Sequence, residues 1–302
     1  MKKKKNLTFL RSYVLTLFLL SSVLNTFGQK QPHEYSIYLG GGYATFVFQK
    51  PVSKPSASGF GGDAGVGFTG FFNDNWGIHT GVGFGFFNVT NKINSFSFIT
   101  PNLEDCEGYF YESHTTLSQY SENHKTMFVT LPLMVQFQTK MERISNRNRN
   151  IKAGFYAMAG AKAQFLVVNN YKAEISTLSG AAYYPDFNNW IYSLPDIGIG
   201  TFKGSAVKGK LKFNLLAMAA LEAGLKWQVG NRIFLYTGAY FDIGLHDYTK
   251  KSRKPFGNYF KPEHLSNLTL LNFSKRMNLM AVGVKVRLAF SGSPSNKFNC
   301  CK

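Results

Sequence analysis

Eight segments of the chain alternate bulky apolar residues with small or polar ones, and turn residues bound each segment. A repeat of two residues is typical of a β-strand whose two faces meet different surroundings. The pattern therefore predicts an all-β chain with little helix. The predicted strands cover residues 35–48, 59–73, 76–90, 126–139, 151–168, 211–229, 232–247 and 275–290.

The polarity of the two faces is inverted relative to a soluble protein. In the third segment Trp76, Val82 and Phe84 share one face, while the other face holds glycines and His79. In water the bulky face would have to point into the core, and glycine would fill no space outside. In lipid the bulky face points outward and small residues leave room inside a narrow barrel. The sequence therefore predicts an eight-stranded antiparallel transmembrane β-barrel.

The connections between the predicted strands alternate in length. Short links follow the second, fourth and sixth strands, at residues 73–75, 140–150 and 230–231. Long links follow the first, third, fifth and seventh, at residues 50–58, 91–125, 169–210 and 248–274. Outer-membrane barrels have short periplasmic turns and long extracellular loops, so both ends of the barrel are expected in the periplasm. The third of the long links, at residues 169–210, leaves ten strands as an alternative because it has room for an extra hairpin.

The N-terminal segment has the pattern of a cleaved secretory signal. Four lysines and Arg11 precede an apolar stretch at 13–24 that is too short to span a bilayer, and Gly28 suits a cleavage site. We expect a signal peptide at 1–28, a barrel at 29–290 and a polar tail at 291–302. Export with such a barrel predicts location in the cell outer membrane.

The inward faces of the predicted strands collect charged residues of both signs. Opposite charges inside a narrow barrel can pair and plug it, so we expect a polar network that satisfies itself rather than a conducting path. The predicted network consists of Asp63, Lys162, Glu222, Lys226, Asp242, Lys285 and Arg287.

Composition adds little evidence of enzymatic chemistry. The chain is 44% hydrophobic and 17% charged, with a formal net charge of +18 that falls largely in connections and in the N-terminal segment. This basic balance favours solvated loops or anionic lipid as a partner over nucleic acid. Cys106, Cys300 and Cys301 have no metal-binding spacing, and their pairing is open. We predict no catalytic residue, cofactor site or metal site.

One connection and one strand end hold weaker candidates for chemistry. Glu112, His114, Glu122 and His124 share a predicted connection, where a solvated loop is favoured over a metal site. His246 and Asp247 end a predicted strand, as a barrel enzyme would require at its rim, but no nucleophile accompanies them.

Three segments resemble the PorT-like outer-membrane β-barrel proteins of the Bacteroidetes. They are the strand FVTLPLMVQF at 128–137, the glycine-containing strand at 154–161 and the hairpin within 220–245. The resemblance implies an outer-membrane barrel of about eight strands and assigns no activity. Some members of that family serve type IX secretion and gliding.

The favoured function is therefore a non-enzymatic outer-membrane barrel whose extracellular loops bind a partner or support a surface structure. A component of type IX secretion is the first alternative, and a barrel enzyme is the second. Outer-membrane lipid is the expected partner, with other outer-membrane or periplasmic proteins as further candidates.

Overall fold

The computed structural model describes residues 32–49, 56–146, 149–195, 199–210, 215–247 and 276–292. The predicted signal peptide, most of the predicted tail and both Cys300 and Cys301 lie outside these residues. The described strands are β1 (His33–Gln49), β2 (Ser56–Phe71), β3 (Trp76–Glu104), β4 (Phe110–Gln138), β5 (Glu142–Asn146), β6 (Arg149–Tyr184), β7 (Asn189–Ile191), β8 (Gly200–Lys210), β9 (Leu215–Gln228), β10 (Ile233–Gly244) and β11 (Arg276–Ser291). A 3-10 turn at Pro185–Phe187 follows β6.

Eight of the strands form a closed antiparallel ring in the order β1, β2, β3, β4, β6, β9, β10 and β11. The ring closes because β1 pairs with β11 along its whole length, from Glu34 opposite Ser291 to Gln49 opposite Arg276. Closure gives the backbone N–H and C=O groups of each strand a partner on both sides, which hydrocarbon requires. The predicted eight-stranded barrel is confirmed, and the ring does not have ten strands.

The two faces of the ring differ as the alternation predicts. On β3 the side chain of Phe84 is 68% exposed, whereas His79 is 4% exposed. Trp76 and Phe86 bound the outward apolar stretch ten residues apart on β3. At about 3.3 Å per residue and a strand tilt of about 40°, this stretch spans about 25 Å along the barrel axis, close to the thickness of an outer-membrane apolar band.

Short turns join the strands at one end of the ring. Between β2 and β3, the Asn73 side-chain oxygen accepts hydrogen bonds from the backbone N–H groups of Asn75 (2.9 Å) and Trp76 (2.7 Å). An asparagine that bonds its own backbone in this way favours a tight turn. The start of β1 and the end of β11 lie at this same end, where Glu34 pairs with Ser291.

At the other end, two predicted loops proved to be strands, and this part of the prediction was wrong. β3 continues to Glu104 and returns directly as β4 from Phe110, while β6 continues to Tyr184. β8 and β9 pair with β6 in one continuous register, with Asn170 opposite Lys210 and Phe165 opposite Leu215. We call the sheet of β3, β4, β6 and β8 beyond the barrel the strand extension. On β3 it runs 18 residues past Phe86, about 60 Å along the strand.

Buried apolar clusters follow one another along the inner faces. One cluster lies among the inward charged residues and consists of Met134, Tyr156, Met158, Ala220, Phe234, Tyr236 and Ala289. The next cluster consists of Ala44, Phe46, Phe87, Val89, Phe128, Leu166, Leu216, Met218, Met277 and Leu279. Two further clusters lie within the strand extension, one around Leu117 and one around Tyr111. The described residues contain no helix that has both the length and the apolar character needed to cross a membrane.

Candidate functional site: the charged interior of the barrel

The seven charged residues predicted to face inward all project into the barrel. They come from β2, β6, β9, β10 and β11. Six are at most 6% exposed, and the side chain of Asp63 is 12% exposed. Because successive side chains of a strand point to opposite faces, the sequence position alone predicts that these charged residues face inward. Which charges meet depends on how the ring closes.

Two lysines form three ion pairs in the half of the network nearer the strand extension. The Lys162 ammonium donates to both carboxylate oxygens of Asp242, at 2.9 and 2.7 Å. The Lys285 ammonium lies between Asp63 and Glu222, at 3.6 and 3.7 Å from their oxygens. In each of these pairs the two partner strands are separated by one intervening strand, so the pairs join strands that are not hydrogen-bonded to each other.

A fourth ion pair lies at the end near the short turns. Lys226 donates to Glu34 at 2.7 Å and to the side-chain oxygen of Gln138 at 2.9 Å. The hydroxyl of Tyr236 donates to the other Glu34 oxygen at 2.6 Å. Glu34 is absent from the predicted network because it lies just before the first predicted strand. Its alternation with Ser36 and Tyr38, both buried, would have placed it inward.

Arg287 occupies the centre of the network. Its guanidinium lies 4.0 Å from the centre of the Tyr236 ring and donates to the side-chain oxygen of Gln136 at 3.1 Å. It also approaches Nδ1 of His79 at 3.2 Å. Because an arginine nitrogen only donates, we assign Nδ1 as the acceptor and place the ring proton on Nε2. His79 therefore serves the network as a neutral acceptor, and Thr69 bonds the same nitrogen at 2.9 Å.

The formal charges inside the ring balance among the described residues. Lys162, Lys226, Lys285 and Arg287 contribute four positive charges, and Glu34, Asp63, Glu222 and Asp242 contribute four negative ones. Aromatic groups fill the space between them, and the Tyr156 hydroxyl donates to Glu222 at 2.9 Å. Burying charges is costly unless they are paired and hydrogen-bonded, and here each charged group has a polar or charged partner.

Glycine on the inner face makes room for these large rings. At Gly83 an added Cβ would overlap the Tyr38 hydroxyl oxygen. Tyr38 is 8% exposed, and its ring lies 4.7 Å from the Lys285 ammonium. The glycines of β3 therefore help to fill the interior, because they let a phenol ring from β1 lie across the lumen.

Little empty space remains between the charged residues. Two cavities of about 30 and 10 Å³ lie along the interior, the second lined by Tyr38, His79 and Lys285 among others. A volume of this size accommodates about one water molecule at most. Above the charges, Phe46, Phe87 and Phe128 pack together with ring centres about 6 Å apart and cover the network. Paired charges thus fill the interior near the short turns, and an apolar layer fills it toward the strand extension.

The four candidate metal residues form two separate pairs, with 3.4 Å between His114 and Glu112 and 2.6 Å between His124 and Glu122. Glu112 and His114 lie on the outward face of β4, whereas Glu122 and His124 are fully buried on the inner face. Gln119 between them has a φ of 51°, and this irregularity reverses which side chains face inward. The described residues contain no group of three or more potential metal ligands.

The candidate enzyme residues at the strand end are held by backbone groups. Nε2 of His246 donates to the carbonyl oxygen of Leu215 at 2.5 Å. The Asp247 carboxylate accepts from the Met277 backbone N–H at 2.9 Å. These bonds join the ends of β9, β10 and β11, and they give both residues a structural explanation.

The far end of the strand extension has a structured turn. Asp105 accepts hydrogen bonds from the backbone N–H groups of Glu107 and Tyr109, both at 2.9 Å, and from the Tyr184 hydroxyl at 3.0 Å. Desolvation acts to raise the pKa of the Asp105 carboxyl, but these donors outweigh it and leave that pKa below its ordinary value. Burial and the neighbouring Asp105 charge raise the pKa of Tyr184 to about 12. Cys106 is exposed in the same turn.

Exposed aromatic rings surround this turn, and we call them the tip surface. The ring centres of Tyr109 and Phe187 are 5.1 Å apart, and those of Trp190 and Tyr192 are 6.1 Å apart. The exposed fraction is 57% for Phe187 and 68% for Tyr192. Together with Phe110, these residues place a cluster of large apolar side chains at the end farthest from the barrel.

No protein-family model matches the sequence, and no curated protein matches it. Among solved structures, Neisserial surface protein A is 10% identical with a TM-score of 0.35, covering 85% of this chain and 97% of its own. The N-terminal barrel domain of OprF from Pseudomonas aeruginosa is 10% identical with a TM-score of 0.30, covering 87% and 98%. The outer membrane protease OmpT from Escherichia coli is 7% identical with a TM-score of 0.28, covering 87% and 96%. All three scores fall below 0.5, so the architecture rests on the strand pairing described above.

Proposed function

We propose that this chain is a non-enzymatic outer-membrane β-barrel, closed to solutes, that binds a partner at the cell surface through the strand extension. The observation that supports the proposal most directly is a change from apolar to polar residues along the outward face of the strands. On β3 and β4 this face is apolar up to the opposed pair Phe86 and Met127, and it becomes polar at the next pair, Asn88 and Lys125.

The apolar part of the outward face favours a membrane over water. Phe84, Leu133 and Val284 on different strands are each 56% exposed or more. A soluble monomer rarely exposes a continuous apolar surface of more than a few hundred Å², whereas here such residues encircle the barrel. The aromatic side chains of Tyr35 and Trp76 near the short turns fit the interfacial girdle of an outer-membrane barrel.

The filled interior argues against a role as a channel. A conducting path needs a continuous water-filled space, and the interior has paired charges followed by an apolar layer. We therefore place the function of the protein outside the barrel lumen.

The tip surface is the part of the described chain best suited to a binding partner. Tyrosine and tryptophan are enriched at protein interfaces because their large rings bury much area with few rotatable bonds. Trp190 packs against Tyr183 and His114, with ring centres 4.9 and 4.7 Å apart, so the exposed rings are held in place before a partner binds.

Two experiments test this function. Membrane fractionation with a heat-modifiability gel is expected to place the protein in the outer membrane with a mobility that changes on boiling. A photo-crosslinking amino acid at position 190 is expected to give a discrete adduct in intact cells. The same probe at position 94, exposed on the extension ten residues before the end of β3, is not. A soluble fraction, or identical adducts from both positions, would contradict the proposal.

Membership of the PorT-like family, and with it a role in type IX secretion, is a second proposal. It is supported by the Leu131–Pro132–Leu133 segment in a strand that lies within the barrel. A strain that lacks this chain is expected to secrete a type IX cargo poorly if this role is correct. Normal secretion would contradict the role in type IX secretion and would leave the surface-binding proposal intact.

A further inference from the structure

We propose that four lysines on the outward face of the strand extension form a binding site for the phosphate of an anionic lipid headgroup in the outer leaflet. We call Lys125, Lys172, Lys208 and Lys210 the lysine patch. Given the proposed outer-membrane location, on which this inference rests, the patch lies immediately above the apolar band.

Strand register brings the four lysines together from three strands. At the first level Lys125 on β4, Asn170 on β6 and Lys210 on β8 stand opposite one another. At the next level outward the same strands present Asn123, Lys172 and Lys208. With strands about 4.8 Å apart and levels about 7 Å apart, the lysines occupy an area about 10 Å across.

The patch has an excess of positive charge. Lys172 forms an ion pair with Glu174, which lies at the third level. For Lys125, Lys208 and Lys210, the described part of the chain offers no ion pair with a carboxylate. Neighbouring like charges repel one another, so an anion between them stabilises this arrangement.

The lysine patch lies at a depression in the surface of the strand extension. Its residues line this depression of about 700 Å³, to which Ser121, Asn123 and Asn170 add hydrogen-bonding side chains. A phosphate oxygen accepts hydrogen bonds from both ammonium and amide groups. The depression therefore combines charge with donors of the kind that a phosphorylated headgroup requires.

The level beneath the patch identifies a lipid as the source of that phosphate. Met127 and Val167 are exposed just below Lys125 and Asn170, at 56% and 58%, and Phe165 lies below them at 40%. An acyl chain lying along these residues would bring its headgroup level with the lysines. A soluble anion or an acidic protein segment would use the charges and leave this apolar surface without a role.

The test uses the full chain folded in uncharged maltoside micelles, with native mass spectrometry to count bound didecanoyl phosphatidic acid. A lysine near an anionic lipid headgroup contributes about fivefold to the affinity. We expect Lys210→Gln to weaken binding about fivefold and the double variant Lys125→Gln/Lys210→Gln at least about tenfold. Lys203→Gln, an exposed lysine on the same strand outside the patch, removes the same charge and is expected to change binding less than about twofold.

Several outcomes would overturn the lipid site. They are equal effects of Lys203→Gln and Lys210→Gln, an affinity for phosphatidylcholine equal to that for phosphatidic acid, or displacement of the lipid by inorganic phosphate or by a poly-glutamate peptide. Heat modifiability of the same sample is measured in parallel. A protein that shows the folded barrel mobility yet has no lipid selectivity contradicts the lysine patch alone, whereas loss of that mobility contradicts the barrel proposal.

Discussion

The ammonium group of Lys162 lies 2.9 and 2.7 Å from the two carboxylate oxygens of Asp242, and the side chains of both residues are less than 10% exposed. The two residues come from β6 and β10, which are separated in the ring by β9. The pair therefore spans the inner face of β9 and joins two strands that are not hydrogen-bonded to each other. Such a contact stabilises the closed barrel only while both charges are present.

Asp242→Asn is expected to destabilise the folded barrel by about 3–5 kcal/mol, because it leaves the Lys162 ammonium buried without its charged partner. The double variant Lys162→Met/Asp242→Leu is expected to lose less, since it removes both charges. Urea unfolding in lipid vesicles, followed by tryptophan fluorescence, measures the free energy. Asp186→Asn, at an exposed acid outside the barrel, serves as the control, and an equal loss there would contradict the role of the pair.

The filled interior predicts that the barrel conducts no ions. In planar lipid bilayers the folded protein is expected to give no stepwise current, because paired charges and the apolar layer around Phe46 and Phe87 occupy the lumen. The same preparation is checked for heat modifiability, so that a silent bilayer reports a folded barrel. Steady open-channel currents would contradict the closed interior.

The barrel could be predicted from the sequence, because the lipid outside and the packed interior favour very different residues on the two faces of each strand. On β3 and β11 the contrast between bulky outward residues and glycine or charge inside makes the alternation clear, and the predicted faces were confirmed for Phe84 and Val284, both 68% exposed. Beyond the membrane that contrast fades. Ser97 and Thr116 face each other on the outer side of the extension and bond at 2.8 Å, and such polar runs were predicted as loops.

The pairing inside the barrel required the three-dimensional structure. Lys226 and Glu34 are 192 residues apart in sequence, and their contact depends on the closure of the ring and on strand register. The reversal at Gln119 likewise depends on one residue with positive φ, which is uncommon for a residue other than glycine. Alternation predicted that the charges point inward but could not assign their partners.

The fit between glycine and tyrosine in the lumen gives a separate prediction. Gly83→Ala is expected to destabilise the barrel by about 1–3 kcal/mol, because its Cβ would overlap the Tyr38 hydroxyl. In a Tyr38→Phe background the added loss is expected to be smaller. Gly70→Ala, where the nearest heavy atom would lie at 3.4 Å, is the control in the same unfolding assay. Equal losses at both glycines would show that strand propensity, and not this contact, determines the cost.

The turn at the tip is expected to loosen in acid. The pKa of Asp105 is lowered in the folded chain, so its contribution to stability is present above the ordinary pKa and is lost as the pH falls through the lowered value. Hydrogen exchange of the Tyr109 amide, which donates to Asp105, is expected to lose protection over that range. Asp105→Asn keeps an acceptor without the titration and is expected to remove the pH dependence. A pH-dependent loss that persists in this variant would assign it to another group.

The location of the strand extension outside the cell is tested most directly by labelling Cys106 in intact cells. This exposed thiol lies in the turn between β3 and β4, and Cys300→Ser/Cys301→Ser removes the other cysteines. A membrane-impermeant maleimide is expected to label the protein in whole cells, and Cys106→Ser is expected to abolish the signal. Labelling of Cys106 only after the cells are lysed would contradict the account.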